Sequence, residues 1–254
     1  MVTLPRSARL AAWATAWLRG DTTLDDVVTR TRGDDEPHEA LDIPGKITTV
    51  GLPEALLALR DVGVRAFRVA LPVPGDPRGL GGPPELNGDA LDAGEAVLTE
   101  PADAAPYALV PDVQTFGPPG DQGHLVTWVC RRANPAPPGP SLSEAEKAMT
   151  FALLEAGAEL SDLDVASWRP EVATLLDDVR SSRAADPLPR AFPTQAQTVA
   201  ARGARLLAVV GFALDDDGGA VTSAAAQSRR AALVPLEQAA RHALVAACNA
   251  MTDA

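Results

Sequence analysis

The sequence predicts an α+β protein, with a mixed α/β front half built on an antiparallel sheet and an all-α helical bundle behind it. Three observations carry that prediction. Residues 64–71 alternate Phe67, Val69 and Leu71 against Ala66, Arg68 and Ala70, the period of a half-buried strand. Strand-like stretches at 95–99, 107–116 and 123–132 follow with short turns, the pattern of an antiparallel meander. After the proline-rich connector 133–140 (ANPAPPGP), segments 143–160, 170–182, 194–214 and 222–251 repeat apolar residues at helical spacing. The expected division is an α/β domain over 1–135, with a helical hairpin at 5–31 and a sheet region at 46–132, and a helical bundle over 141–254.

Taken in order, residues 5–19 form a helix with Leu10, Trp13, Trp17 and Leu18 on its inward face. Asp21 or Thr22 caps a second helix through about Arg30. Two helices on a tight turn raise the helix-turn-helix of DNA readers, but the second carries Asp25 and Asp26 where such a reader needs basic residues. A packed hairpin is the expectation. Residues 33–45 read as a polar loop and Lys46 to Val50 as a short strand. Pro53 opens a helix that Gly63 ends.

Residues 72–85 hold five prolines and four glycines, which leaves a long loop before a short helix at Glu85 to Ala93. Pro111 has no N–H to give to a ladder, so its strand lies at an edge or a bend. Ser143 and Glu146 have capping-box spacing, Pro170 sits at a first-turn position, and Pro235 should kink or split the last helix. Leu233, Leu236, Ala240, Leu244, Ala247 and Met251 form a narrow seam, with Arg241 and His242 turned elsewhere. Such a seam suits close packing inside one chain or between two copies, which leaves a homodimer open.

The net charge of −12 is spread over both halves, with 19 acids against 12 bases in residues 1–135 and 15 against 10 in residues 136–254. That field is wrong for nucleic acid or an anionic membrane, so neither is an expected partner. Lys46 and Lys147 are the only lysines, and alanine abounds, the bias of a GC-rich bacterial genome. Cys130 and Cys248 lie in apolar patterns as buried thiols and not as a bridge. Arg6, Arg9 and Arg19 interrupt the first twenty residues, and no later run approaches the roughly 18 apolar residues of a membrane span. A cytoplasmic protein is expected.

The phosphate loop G-x-x-x-x-G-K-[ST], the serine elbow G-x-S-x-G and the zinc motifs H-E-x-x-H and C-x-x-C are all missing, and no cofactor or metal is called for. Gly79, Gly81 and Gly82 fail the dinucleotide spacing, and Asp215, Asp216 and Asp217 fail that of a calcium loop. Of His38, His124 and His242, none has a partner at ligand spacing, and His124, at a strand start, stands out most. Arg68 needs a carboxylate if its strand face is covered.

The segments RLAAWATAWLRG, ALPVPGDPRGLGGP, NGDALDAGEAVL, LVPDVQTFG, DLDVASWRP and PLEQAARHALVAACNA resemble an uncharacterised actinobacterial protein family. The resemblance spans nearly the whole chain and implies a bacterial source without a function. The missing catalytic vocabulary favours a non-catalytic cytoplasmic binding or interaction protein. The alternative is an enzyme or anionic-ligand binder at the 72–95 loop, where Arg68, Asp76, Arg78, Asn87 and Glu95 would converge and the glycines would let a ligand approach the backbone.

Overall fold

The computed structural model describes residues 3–102, 105–162, 188–215 and 223–252. Its front elements are α1 (Arg6–Leu18), α2 (Leu24–Arg32), β1 (Glu39–Leu41), β2 (Val50–Gly51), α3 (Leu52–Asp61), β3 (Val64–Ala70), α4 (Pro84–Ala93), β4 (Ala96–Pro101), β5 (Tyr107–Phe116) and β6 (Gly123–Arg132). The rear elements are α5 (Leu142–Asp162), α6 (Thr194–Asp215) and α7 (Ser223–Cys248). The chain divides into two units. One holds Pro5–Gly139, Leu188–Phe192 and Cys248–Ala254, and the other Met1–Leu4, Pro140–Pro187 and Pro193–Ala247.

The sheet of the front unit runs β2-β1-β6-β5-β4-β3. From β3 to β6 it is the expected antiparallel meander, with Val97 opposite Leu109 and Val110 opposite Val129. The sheet as a whole is mixed, because β1 lies parallel to β6, Ala40 beside Trp128. This corrects the reading of 33–45 as loop. Three residues are too few to show alternation, and β1 exists because β2 and β6 pair with both of its edges. The strand expected over 46–50 shrinks to Val50 and Gly51.

Helix α1 is buried nearly all round by small residues, from Ala8 to Ala16, so the inward face is wider than the Leu/Trp stripe suggested. Trp13 and Trp17 are half-buried at its rim, under the guanidinium groups of Arg30 and Arg60. The cap of α2 is Thr23, whose hydroxyl accepts from the Asp26 N–H while Asp26 reaches back, in place of Asp21 or Thr22. Gly63, with φ +96°, turns α3 into β3.

Strand β3 is the outer edge of the sheet, and side chains close it. Thr15 Oγ1 donates to the Phe67 carbonyl at 3.0 Å and accepts from the Phe67 N–H at 2.9 Å. Two residues on, Asn249 Oδ1 accepts from Val69 N–H at 2.8 Å and Asn249 Nδ2 donates to the Val69 carbonyl at 3.1 Å. Alternate residues of a strand present their backbone to the same side, so these two side chains stand in for a seventh strand.

Leu86 and Ala90 of α4 pack on the sheet with Leu80, Ala96, Leu98, Ala108, Val110 and Ala133. The connector is partly docked here, since Ala136 packs on this cluster.

In the rear unit, Ala156 of α5, Val210 and Ala213 of α6, and Leu233 and Leu236 of α7 share a core. The capping box is Ser141 with Glu144, two residues earlier than read, because S-L-S-E-A-E offers both pairs. Glu146 accepts instead from Gln195. Helix α7 continues through Pro235 without splitting. The seam is buried within one chain, and a Cβ on Gly203 of α6 would lie 3.0 Å from the Ala240 carbonyl oxygen. Over Thr194–Leu214, α6 has the length and composition of a membrane-crossing helix, although Arg202 and Arg205 interrupt it. That corrects the expectation that no run approaches the limit. The helix expected over 170–182 and residues 216–219 of the acidic run lie outside the described residues.

If Asn249 closes the β3 edge, Asn249→Ala leaves a buried N–H and carbonyl at Val69 without their partner and destabilises the front unit by about 2 kcal/mol. Urea unfolding followed by tryptophan fluorescence reads this as a lower midpoint with an unchanged slope.

Candidate functional site

Among the described histidines, the chemically loaded one is His38 and not His124. His38 is buried, with its ring between Trp128 and Asp35. An indole N–H only donates, so Trp128 Nε1, at 3.2 Å, makes His38 Nδ1 the acceptor. Nε2 therefore carries the proton and donates to Asp35 Oδ2, also at 3.2 Å. Arg6 holds the same carboxylate through two bonds of 2.7 Å, and the Arg9 guanidinium lies 3.8 Å away.

Burial holds the His38 pKa below its ordinary value, against the pull of Asp35. Burial also works against the Asp35 carboxylate, but Arg6 and His38 more than offset it and keep that pKa low. With both ring nitrogens occupied, His38 has no lone pair to offer a substrate. It ties α1, the segment after α2 and β6 together. His124 is half-exposed, beside the Thr115 hydroxyl. Burial pushes the thiols of Cys130 and Cys248 up to about 12, far from nucleophilic use. Among the described residues, no group of three or more His, Cys, Asp or Glu side chains could hold a metal ion.

The five residues proposed around the 72–95 loop are each engaged within the chain. Arg68 meets Glu100 and the Thr252 hydroxyl, both at 3.1 Å, which supplies the carboxylate its covered face required. Asp76 is buried in a small turn against Val73, with the Arg78 guanidinium 3.6 Å away. Asn87 Oδ1 accepts from the Gly82 N–H at 3.0 Å. Glu95 accepts from the Ser7 N–H at 2.8 Å and the Ser7 hydroxyl at 2.7 Å, so it caps the positive end of α1. The loop glycines admit the chain's own backbone, since a Cβ on Gly81 would strike the Pro135 carbonyl.

A cleft of about 560 Å³ opens farther along, lined by Asp89, Asp92 and Ala93 of α4, Val110 to Val113 of β5, and Val129 and Arg131 of β6. None of the five residues above lines it. Three carboxylates there face one guanidinium, which is shared between Asp89 and Asp42 at 3.3 Å each.

The cleft exists because β5 is ten residues long and β4 six, with the two paired only at Val97–Leu109 and Leu98–Ala108. Past Leu109, β5 keeps β6 on one side and, among the described residues, has no strand on the other. Tyr107 N–H reaches Thr99 on the β4 side, so Pro111, Val113 and Thr115 face that same side. The N–H that Pro111 lacks would have pointed into the gap, as an edge position requires. Asp112 to Phe116 are all exposed. Sequence patterns showed the Pro111 constraint and the long strand, but not the acidic wall that α4 adds.

A family model for Rv1486c-like protein, N-terminal domain, matches residues 7–142, and one for Rv1486c-like protein, C-terminal domain, matches residues 143–245. The chain belongs to the Rv1486c-like family. Two relatives from Mycobacterium tuberculosis, Rv1486c of strain H37Rv and MT1533 of strain CDC 1551, are each 32% identical over 219 residues, covering 72% of this chain and 75% of theirs. Both are described as uncharacterised proteins. No solved structure matches the chain. For the Rv1486c-like chain the geometry alone must therefore suggest a role.

The His38 tautomer gives a pH prediction. Its folded pKa is depressed, so the unfolded chain binds the proton more readily, and stability falls as pH drops below about 6.5. In His38→Gln the amide offers an acceptor to Trp128 and a donor to Asp35 without titrating. Melting temperatures taken between pH 7 and 5 should fall less steeply in that variant than in the wild type.

Proposed function

We propose that the protein is a non-catalytic interaction protein whose contact surface is the overhanging end of the β5–β6 hairpin. The observation that carries this reading is a paired two-stranded segment that, among the described residues, has one open edge, with two large apolar side chains exposed together on one face, Phe116 at 45% and Leu125 at 47%. Scattered apolar residues are ordinary on a surface, but a group of them beside an unpaired strand edge is a liability unless a partner covers it. The reading is of a cytoplasmic protein. The free, buried thiols of Cys130 and Cys248 support a reducing compartment.

The second reading is a small anionic ligand at the 72–95 loop, held by Arg68 and Arg78. What favours it is the Arg78 side chain, 63% exposed beside the proline-stiffened loop.

For the interaction reading, tagged wild type and Phe116→Ser/Leu125→Ser are compared as bait in an actinobacterial lysate. The wild type should retain a defined partner that the variant loses by about tenfold, with equal melting temperatures for the two baits. An identical retained set would sink the hairpin as the contact surface.

A further inference from the structure

The geometry points to a partner that adds an extended, basic strand to the open edge of β5, with its cationic side chains seated in the acidic cleft beneath α4. This rests on the reading of the hairpin as a contact surface and says what binds there. Two edges of one sheet carry the argument. At β3 the outward N–H and carbonyl groups of Phe67 and Val69 are taken up by Thr15 and Asn249. At β5 the equivalent groups of Val113 and Thr115, with the Pro111 carbonyl, face the gap that β4 leaves. An incoming strand finds there the donors and acceptors it needs, in a groove between a strand edge and a helix, the geometry of strand addition.

Charge selects the occupant. Asp89, Asp92 and Asp112 line the groove, and Arg131 is divided between Asp89 and Asp42. Asp92 stands in the last turn of α4, which carries no basic residue, where a carboxylate meets the negative end of the helix. A lysine or arginine side chain from the incoming strand relieves that repulsion. A second copy of this chain, by contrast, would bring its own Asp112 to the same edge on a molecule of net charge −12.

The test uses the full chain and three labelled octapeptides: alternating lysine and valine, alternating glutamate and valine, and the lysine peptide N-methylated on alternate amides. Fluorescence anisotropy at low and high salt reads binding. The lysine peptide should bind saturably and weaken with salt, the glutamate peptide should not bind, and N-methylation should cost about tenfold. Asp89→Asn/Asp92→Asn/Asp112→Asn should lose about tenfold and most of the salt dependence. Val113→Pro, which removes an outward N–H and leaves the β6 ladder intact, should weaken the lysine peptide to a similar degree.

The proposal is overturned if the lysine peptide does not bind, if the glutamate or N-methylated peptide binds as well, or if the aspartate variant binds unchanged. A dimer in native mass spectrometry that Val113→Pro abolishes and the lysine peptide does not displace would assign the edge to a second copy and overturn it too. Loss of the lysate partner in Phe116→Ser/Leu125→Ser, together with no peptide binding, sinks the basic strand and leaves the hairpin reading standing. Peptide binding with lysate retention unchanged does the reverse.

Discussion

A strand's backbone donors and acceptors have to be paired, and this requirement organises the front unit. The meander ends at β3, which would expose a row of such groups. Thr15 on α1 and Asn249 after α7 fill that row, and each does so with a donor and an acceptor. The position of α1 over the sheet and the return of the last residues to the front unit follow from that closure. Glu95, at the start of β4, then fixes the other end of α1 by accepting from Ser7. A helix that is buried almost all round depends on having its ends and its buried polar side chains met in this way.

The same requirement is met differently at the centre. Trp128, the largest fully buried side chain among the described residues, sits on β6 and needs an acceptor for its indole N–H. His38 provides it, and the demand passes outward through Asp35 to Arg6, where it ends on a half-buried guanidinium. A histidine and an aspartate in hydrogen-bond contact look like a catalytic pair, but here the pair spends both ring nitrogens on packing. The His38–Asp35 pair is, in this respect, structural. Among the described residues, the outward backbone groups of β5 past Leu109 have no strand beside them.

Patterns that are local in the chain were legible from the sequence. The alternation at 64–71, the strands at 107–116 and 123–132, the Gly63 turn and, among the described residues, the helical segments at 143–160, 194–214 and 222–251 appear where they were read. What was not legible depends on partners far away. Glu95 and Ser7 are 88 residues apart, and Arg68 and Thr252 are 184, so a polar residue that looks like a ligand group gives no local sign of the backbone or side chain it serves. Strand β1 was missed because three residues carry no period, and the α5 cap was displaced because one short run holds two equivalent spacings. The cleft was half legible. A ten-residue strand beside a five-residue one, with a proline between their ends, already implies an overhang, but only the fold brings Asp89 and Asp92 to it.

The central claim is that the β5 edge is open while the β3 edge is closed. Residue-resolved amide hydrogen exchange of the isolated chain tests it most directly. Val113 and Thr115 should exchange orders of magnitude faster than Phe67 and Val69 under the same native conditions. Protection of Val113 and Thr115 matching that of Phe67 and Val69 would mean that the β5 edge is already covered, and would contradict the account.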